Sequence, residues 1–377
     1  MKYKFICIFL LVLMLIRPVG TIYQYKDKFF SRDYQKNYQK LYDLYYSSQY
    51  VKKINPGVMP DEYFEAFAGG AFLKGLNPIL IVHDHPPLGR YIVSLSIILF
   101  DNASTIIILF MMLSSLAVFL ISRLVLKNTL LSLIPLGIFL NEPLALNKLV
   151  YTPLPEPIQL PFIYFAIYFF IKGVMEKKYK KWFLLTVLML GGVISTRFFV
   201  LGGVLVLSML LSLFIYRRKN KKIIAFLCML PISLVILMLS YTRTIQDSHS
   251  LLKVFSVQKY ILVYHKSAFV HVFSFWDLIL FNRWHTWWGS NAITSDVHWI
   301  ILWPIGVVGS FLTGALFVLR RITINPPSQF LLIWIFAYSG LLSTGYTSTR
   351  YFLPIIPFLY IITLKLIIEL RRIYIKK

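Results

Sequence analysis

Cysteine is nearly absent from this chain of 377 residues: Cys7 and Cys228 are the two, both inside apolar runs. They supply neither a disulfide framework nor a metal-ligand pattern. Charge is scarce as well, at 14% of residues, against roughly 25% in an ordinary soluble domain. Acids are the scarcest class, with 15 Asp and Glu facing 39 Lys and Arg, for a formal charge of +24. No internal repeat is visible, and no Gly-rich phosphate loop. Against these shortages stands a surplus: 58% of residues are hydrophobic and the mean hydropathy is +0.70. One soluble core cannot hide that much apolar surface. A water-soluble globular protein, a disordered chain and a nucleic-acid-binding domain are excluded. An all-α, polytopic membrane bundle remains.

A spanning helix needs about 20 mostly apolar residues. Ten stretches qualify: 5–22, 103–123, 129–146, 157–172, 182–196, 198–216, 223–241, 298–319, 329–346 and 350–369. The run 182–216 is too long for one span and divides at a turn near Thr196 and Arg197. Twenty of the 39 basic residues sit in short stretches at every second connection. That alternation requires an even number of spans with both termini in the cytoplasm. The positive charge is therefore a topology signal and an attraction to anionic membrane lipids, and no nucleic-acid partner is expected. Lys2 and Lys4 precede an apolar run the length of a signal-peptide core, but no small-residue cleavage site follows, so an uncleaved first span is expected.

Eight of the 15 acids lie between the first two spans: Asp27, Asp33, Asp43, Asp61, Glu62, Glu65, Asp84 and Asp101. That first outer loop covers about 23–102, and a second covers 242–297. Both belong to one integral membrane domain, 1–377, in this topology. Chemistry should face away from the cytoplasm, in a plasma membrane for a prokaryote or the endoplasmic reticulum for a eukaryote. Tyr34, Tyr38, Tyr42 and Tyr45 recur at helical spacing, predicting a scaffold helix in the membrane interface that ends at a turn over Asn55, Pro56 and Gly57.

The segment Pro60-Asp61-Glu62-Tyr63-Phe64-Glu65, running on through Gly69-Gly70 to Gly75, predicts a helix whose first turn carries acids. Ten residues after Gly75 comes His85, in His83-Asp84-His85-Pro86-Pro87-Leu88-Gly89-Arg90, with a helix expected over Tyr91 to Phe100. An Asp-Glu pair, a small-residue helix and His-Pro-Pro-Leu-Gly-Arg at this spacing resemble the first outer loop of GT-C membrane glycosyltransferases. Their protein O-mannosyltransferase and aminoarabinose transferase branch is the nearest. Thr349-Arg350-Tyr351-Phe352-Leu353-Pro354 is similar to the start of a late span in that branch. The chain departs from the pattern in the long stretch before Asp61. It also has Glu156, in Pro153-Leu154-Pro155-Glu156-Pro157, where relatives hold an Arg and an Asp.

The resemblance implies transfer of a sugar from a polyprenyl phosphate to an acceptor protein, glycan or glycolipid on the outer side. It assigns the base to Asp61, with Glu62 as its neighbour. The departing phosphate gains charge and needs fixed cations. Arg350 is the first candidate, then Arg90 and Arg197, since arginine at membrane depth is paired or functional. His85, Glu156 and Asp277 are supporting candidates, Asp277 because it lies among Trp276, Trp284, Trp287 and Trp288. His83, Asp84 and His85 are ligand types for a divalent metal, although only the two histidines share a side of an extended chain. Two other readings compete: a lipid or glycan transporter or flippase, and a catalytically inactive GT-C-like scaffold.

Overall fold

The computed structural model describes residues 2–82, 84–197, 199–215, 220–266, 271–286, 292–345 and 347–375. Helix α1 (Lys2–Gln24) leads into two short helices, α2 (Lys26–Phe30) and α3 (Tyr34–Ser47). Then come α4 (Asp61–Leu73), α5 (Pro78–Ile81) and α6 (Leu88–Phe100). Helices α7 (Thr105–Leu126), α8 (Thr129–Leu140), α9 (Pro143–Val150), α10 (Pro155–Met175), α11 (Tyr179–Thr196) and α12 (Phe199–Ile215) follow. Helices α13 (Asn220–Met229) and α14 (Pro231–Ser240) precede α15 (Thr242–Ser248), α16 (Leu252–Lys266) and α17 (Ser274–Phe281). A two-residue hairpin, β1 (Trp284–His285) with β2 (Ile293–Thr294), precedes α18 (Leu302–Val318), α19 (Pro326–Ser343) and α20 (Ile356–Ile375).

Local chemistry sets many of these boundaries. Pro143, Pro155 and Pro326 open helices where a missing N–H costs nothing. The side chains of Asn128 and Asn325 cap α8 and α19. Pro143 also breaks the run from α8 into α9, which bend by 51°. Helix α10 is central, packed between α7 and α11. Glycines on α11 allow the approach: a Cβ on Gly192 would meet Phe162, and one on Gly191 would meet Ile236.

Among the described residues each of the ten apolar stretches is mainly helical, and the named elements are helices apart from the hairpin. Among the described residues, four helices are long and apolar enough to cross a membrane: Phe5–Gln24, Thr105–Leu126, Pro155–Met175 and Asn220–Ser240. The bent pair α8 and α9 makes a fifth. Helices α12 and α18 are apolar but 17 residues long. The last helix begins at Ile356, because residues 349–352 form a 3₁₀ turn instead. Phe5, Ile8, Val12 and Ile16 point outward from α1, as lipid-facing side chains do.

The tyrosine helix forms, but not where it was expected. Tyr34, Tyr38 and Tyr45 are buried against α4, with Tyr45 stacked on Phe67 at 4.3 Å and the Tyr34 hydroxyl donating to Ala66 O at 2.7 Å. It ends at Ser47, well before the Asn55–Gly57 turn. The α11–α12 turn at Thr196 and Arg197 is as the sequence indicates.

Candidate functional site

Pro60 is extended and Asp61 opens α4, so the acids of the first turn meet unpaired N–H groups. Side chains four apart share a helical face, and neighbours diverge by about 100°. Asp61, Phe64 and Glu65 accordingly line one cavity, whereas Glu62, Tyr63 and Ala66 line another. The expected Asp61–Glu62 unit is thus corrected: Glu62 faces away, and Glu65, one turn along, joins Asp61.

The first cavity is a cleft of about 150 Å³ also lined by Tyr50, Asp84, His85, Glu156, Arg350 and the α16 tyrosines Tyr260 and Tyr264. At its mouth Arg350 Nη1 lies 3.3 Å from Asp61 Oδ2, across 289 residues of sequence. Asp61's side chain is 57% exposed and Arg350's 22%. The Tyr50 hydroxyl donates to Asp61 Oδ1 at 3.4 Å. Burial, then the carboxylates of Asp61, Asp84 and Glu65, push the Tyr50 phenol up, so it stays a donor. Arg350 Nε also approaches Glu156 Oε1 at 3.4 Å, and Arg197 Nη1 reaches the same oxygen at 3.2 Å. Glu156 is buried, and among the described residues neither of its oxygens receives a well-aligned hydrogen bond. The Tyr351 ring carries both guanidinium groups, Arg197 at 4.8 Å and Arg350 at 5.3 Å from its centroid.

Three buried donors fix the unwound segment that carries Arg350. Tyr338 Oη donates to Tyr351 O at 2.9 Å, Tyr164 Oη to Leu353 O at 2.7 Å and Trp334 Nε1 to Pro354 O at 3.3 Å. Thr349 Oγ1 donates to Asp296 Oδ2 at 2.6 Å, tying the turn to the second outer loop.

Arg90 has a different fate from the one its sequence position suggested. Pro87 starts α6 so that Arg90 projects under α4. Its Nε and Nη2 each donate to Glu65 at 2.7 Å, a bidentate pair with Arg90 only 1% exposed. Asp84 stands 3.8 Å from Nη2. Burial pushes the Glu65 carboxyl up to about 7, against the pull of Arg90. The small residues of α4 serve this contact: a Cβ on Gly69 would strike Val93 of α6, and one on Gly70 the Tyr34 hydroxyl of α3.

Of the supporting candidates, His85 and Glu156 line the cleft. Asp277 does not: it lines a separate cavity of about 260 Å³ with Arg283, Trp284 and His285. Its placement among tryptophans gave no register toward the cleft. His83, Trp287 and Trp288 lie outside the described residues. His85 Nδ1 is 2.5 Å from Asp84 O. Among the described residues no group of three His, Cys, Asp or Glu is arranged to hold a metal ion; the expected set of His83, Asp84 and His85 includes a residue outside them. Glu65, Tyr50, Asp296 and Thr349 were missed in the sequence reading, as was Lys148, whose charge bears on Glu156, Arg350 and Arg197. The four-residue spacing from Asp61 to Glu65 was the one local signal available.

A model of the dolichyl-phosphate-mannose-protein mannosyltransferase family matches residues 84–241. That stretch takes in Asp84, Arg90, Glu156 and Arg197 but neither Asp61 nor Arg350. No curated protein sequence matches the chain. ArnT from Cupriavidus metallidurans in the apo state is similar in structure, with a TM-score of 0.58 at 15% identity over 88% of this chain and 58% of ArnT. ArnT bound to undecaprenyl phosphate gives 0.54 at 15% identity, over 88% of this chain and 59% of that one. The archaeal oligosaccharyltransferase AglB from Archaeoglobus fulgidus, in complex with an inhibitory peptide and a dolichol-phosphate, gives 0.54 at 12% identity. There the overlap is 90% of this chain and 51% of AglB. The chain spans a little over half the length of these structures. It has their GT-C fold and resembles the protein O-mannosyltransferase and ArnT branch, as the sequence motifs implied.

Proposed function

We propose that the chain is an inverting glycosyltransferase that moves a sugar from a polyprenyl phosphate to an acceptor hydroxyl on the extracytoplasmic side of a membrane. The observation that carries this reading is the Asp61–Arg350 pair across the mouth of the cleft. An exposed ion pair contributes little to stability, so a substrate that inserts between the two groups parts them at small cost. Asp61 then accepts the proton of the acceptor hydroxyl as its oxygen bonds to the anomeric carbon. The bond from that carbon to the phosphate oxygen breaks, and its electron pair leaves with the phosphate. Arg350, with Arg197 and Lys148 behind it, offsets the growing charge. Glu156 keeps the cations together until the phosphate arrives. Arg90 positions Glu65 and α4 and does not reach the donor.

The membrane geometry supports the same reading. Glu156 opens α10 at the cleft, while Lys172, one of the clustered basic residues, stands in its last turn. A helix of that length is about 30 Å long, which separates the site from the basic, cytoplasmic side. Both termini are then cytoplasmic, in a prokaryotic plasma membrane. The lipid phosphates of the ArnT and AglB complexes support a polyprenyl-phosphate donor here. A transporter would place its substrate charges at mid-membrane between repeats; here they collect at helix ends and in a loop.

The test is Asp61→Asn in lipid nanodiscs with a radiolabelled undecaprenyl-phosphate sugar. Removal of a general base costs about 10²–10⁴-fold in rate. Transfer should fall by that factor while the lipid is still bound. Transfer at the wild-type rate by the variant removes Asp61 as the base; absence of transfer by the wild-type chain removes the enzyme reading.

A further inference from the structure

We propose that the second cavity, on the other face of α4, binds a neutral sugar of the acceptor. Its role as an acceptor site rests on the glycosyl-transfer reading; its ability to bind a sugar does not. The cavity measures about 520 Å³, more than three times the ion-paired cleft. It lies between α4, the α2–α3 segment, and the chain at 102–104 and 152–153. Glu62 and Tyr63 form its α4 wall, directly beside Asp61 in sequence.

Charge and polarity select the ligand class. Lys28 and Lys40 are matched by Asp33 and Glu62 on the same lining, so no cation is left over to hold an anion. Polar groups of both kinds, donor and acceptor, rule out an apolar chain as the natural occupant. A polyol both donates and accepts at each hydroxyl and suits such a lining. The ring of Tyr63, half exposed, offers the flat apolar surface that a pyranose face covers.

A second, independent observation comes from Thr152. It is 1% exposed, lies in the wall, and its hydroxyl has no hydrogen-bond partner among the described residues. A buried hydroxyl without a partner destabilises a protein unless something supplies one. A sugar hydroxyl seated in the cavity is such a partner. The cleft and the cavity thus share α4: one face carries Asp61 for the donor reaction, and the next positions the molecule that receives the sugar.

The experiment is saturation-transfer NMR on the full chain in nanodiscs free of glycoside detergent, with methyl α-mannoside as the probe and inorganic phosphate as competitor. The sugar should receive saturation, and phosphate should not displace it. Thr152→Val keeps the shape and removes the hydroxyl; loss of one hydrogen bond should weaken sugar binding by about fivefold. Its thermal midpoint should stay level or rise, because the orphan group is gone. Thr152→Ser should bind within about twofold of wild type, and Asp61→Asn should bind unchanged. Absence of saturation in wild type, displacement by phosphate, or equal binding by wild type and Thr152→Val overturns the proposal. Absence of transfer by the wild-type chain, with the sugar still bound, would instead sink the enzymatic reading and leave the sugar site standing.

Discussion

The floor and the mouth of the cleft are each built from one arginine and one carboxylate of α4, and they behave as opposites. On the floor, Arg90 and Glu65 share two 2.7 Å hydrogen bonds and are almost entirely buried. At the mouth, Arg350 and Asp61 touch through one 3.3 Å contact, with the carboxylate more than half exposed. A dry bidentate pair is costly to break and fixes geometry. A wet, single contact exchanges readily with a ligand. Four residues of helix separate structure from chemistry, and the difference lies in burial rather than in residue type.

The contrast breaks most visibly at the floor. Arg90→Ala leaves the Glu65 carboxylate buried without its partner, and such a loss costs about 3–5 kcal/mol. Thermal unfolding in nanodiscs should show a large fall in midpoint, or no folded protein, while the Asp61→Asn midpoint stays close to wild type. Equal midpoints would erase the distinction. Arg350→Gln should fold normally yet bind undecaprenyl phosphate about tenfold to a hundredfold more weakly, the worth of a charge-assisted hydrogen bond. Native mass spectrometry of the lipid-bound fraction measures it, and wild-type affinity would remove Arg350 from the phosphate.

A smaller effect is expected from Thr349, which ties the Arg350 turn to Asp296. Thr349→Val should weaken undecaprenyl phosphate binding by about fivefold, and Thr349→Ser should restore it. If both bind as wild type, the Asp296 tie does not position Arg350. The smallest effect is a pH dependence of the floor. Glu65's folded value, about 7, lies above its ordinary 4.5. Its contribution to stability is therefore full below about 4.5 and is lost as the pH rises through about 7. Replacing it with a neutral amide should abolish that slope, so the Glu65→Gln midpoint should be flatter across this window than wild type. Parallel curves would show that another group titrates.

Much of the bundle was legible because apolar length and basic loops are one-dimensional signals. Every apolar stretch is mainly helical among the described residues, although 129–146 and 223–241 each hold two helices, and the Thr196–Arg197 turn fell where 182–216 outran a single span. The bend at Pro143 and the 3₁₀ turn at Arg350 were harder, since both depend on what the neighbouring helices supply to free backbone groups. In the site, Asp61, Arg350, Arg197 and Glu156 converge although the sequence offered them for separate reasons: Asp61 and Arg350 from the family motifs, Arg197 from the cost of arginine at membrane depth, Glu156 as a departure from the pattern. Glu62 was preferred over Glu65 because it is adjacent in sequence, whereas helical geometry favours the residue four away. Arg90 was read as a phosphate ligand because arginine at membrane depth is paired or functional; the letters do not say which, and the buried partner, Glu65, decides for pairing. Asp277 was drawn in by tryptophans whose fold position the sequence does not encode.

A cryo-EM structure of the chain in nanodiscs with undecaprenyl phosphate would show where the donor phosphate sits. The phosphate should lie within hydrogen-bond distance of Arg350, about 3 Å, with the Asp61–Arg350 contact opened and the Arg90–Glu65 pair intact. A phosphate seated away from the cleft, or an undisturbed Asp61–Arg350 contact beside a bound lipid, would contradict this placement.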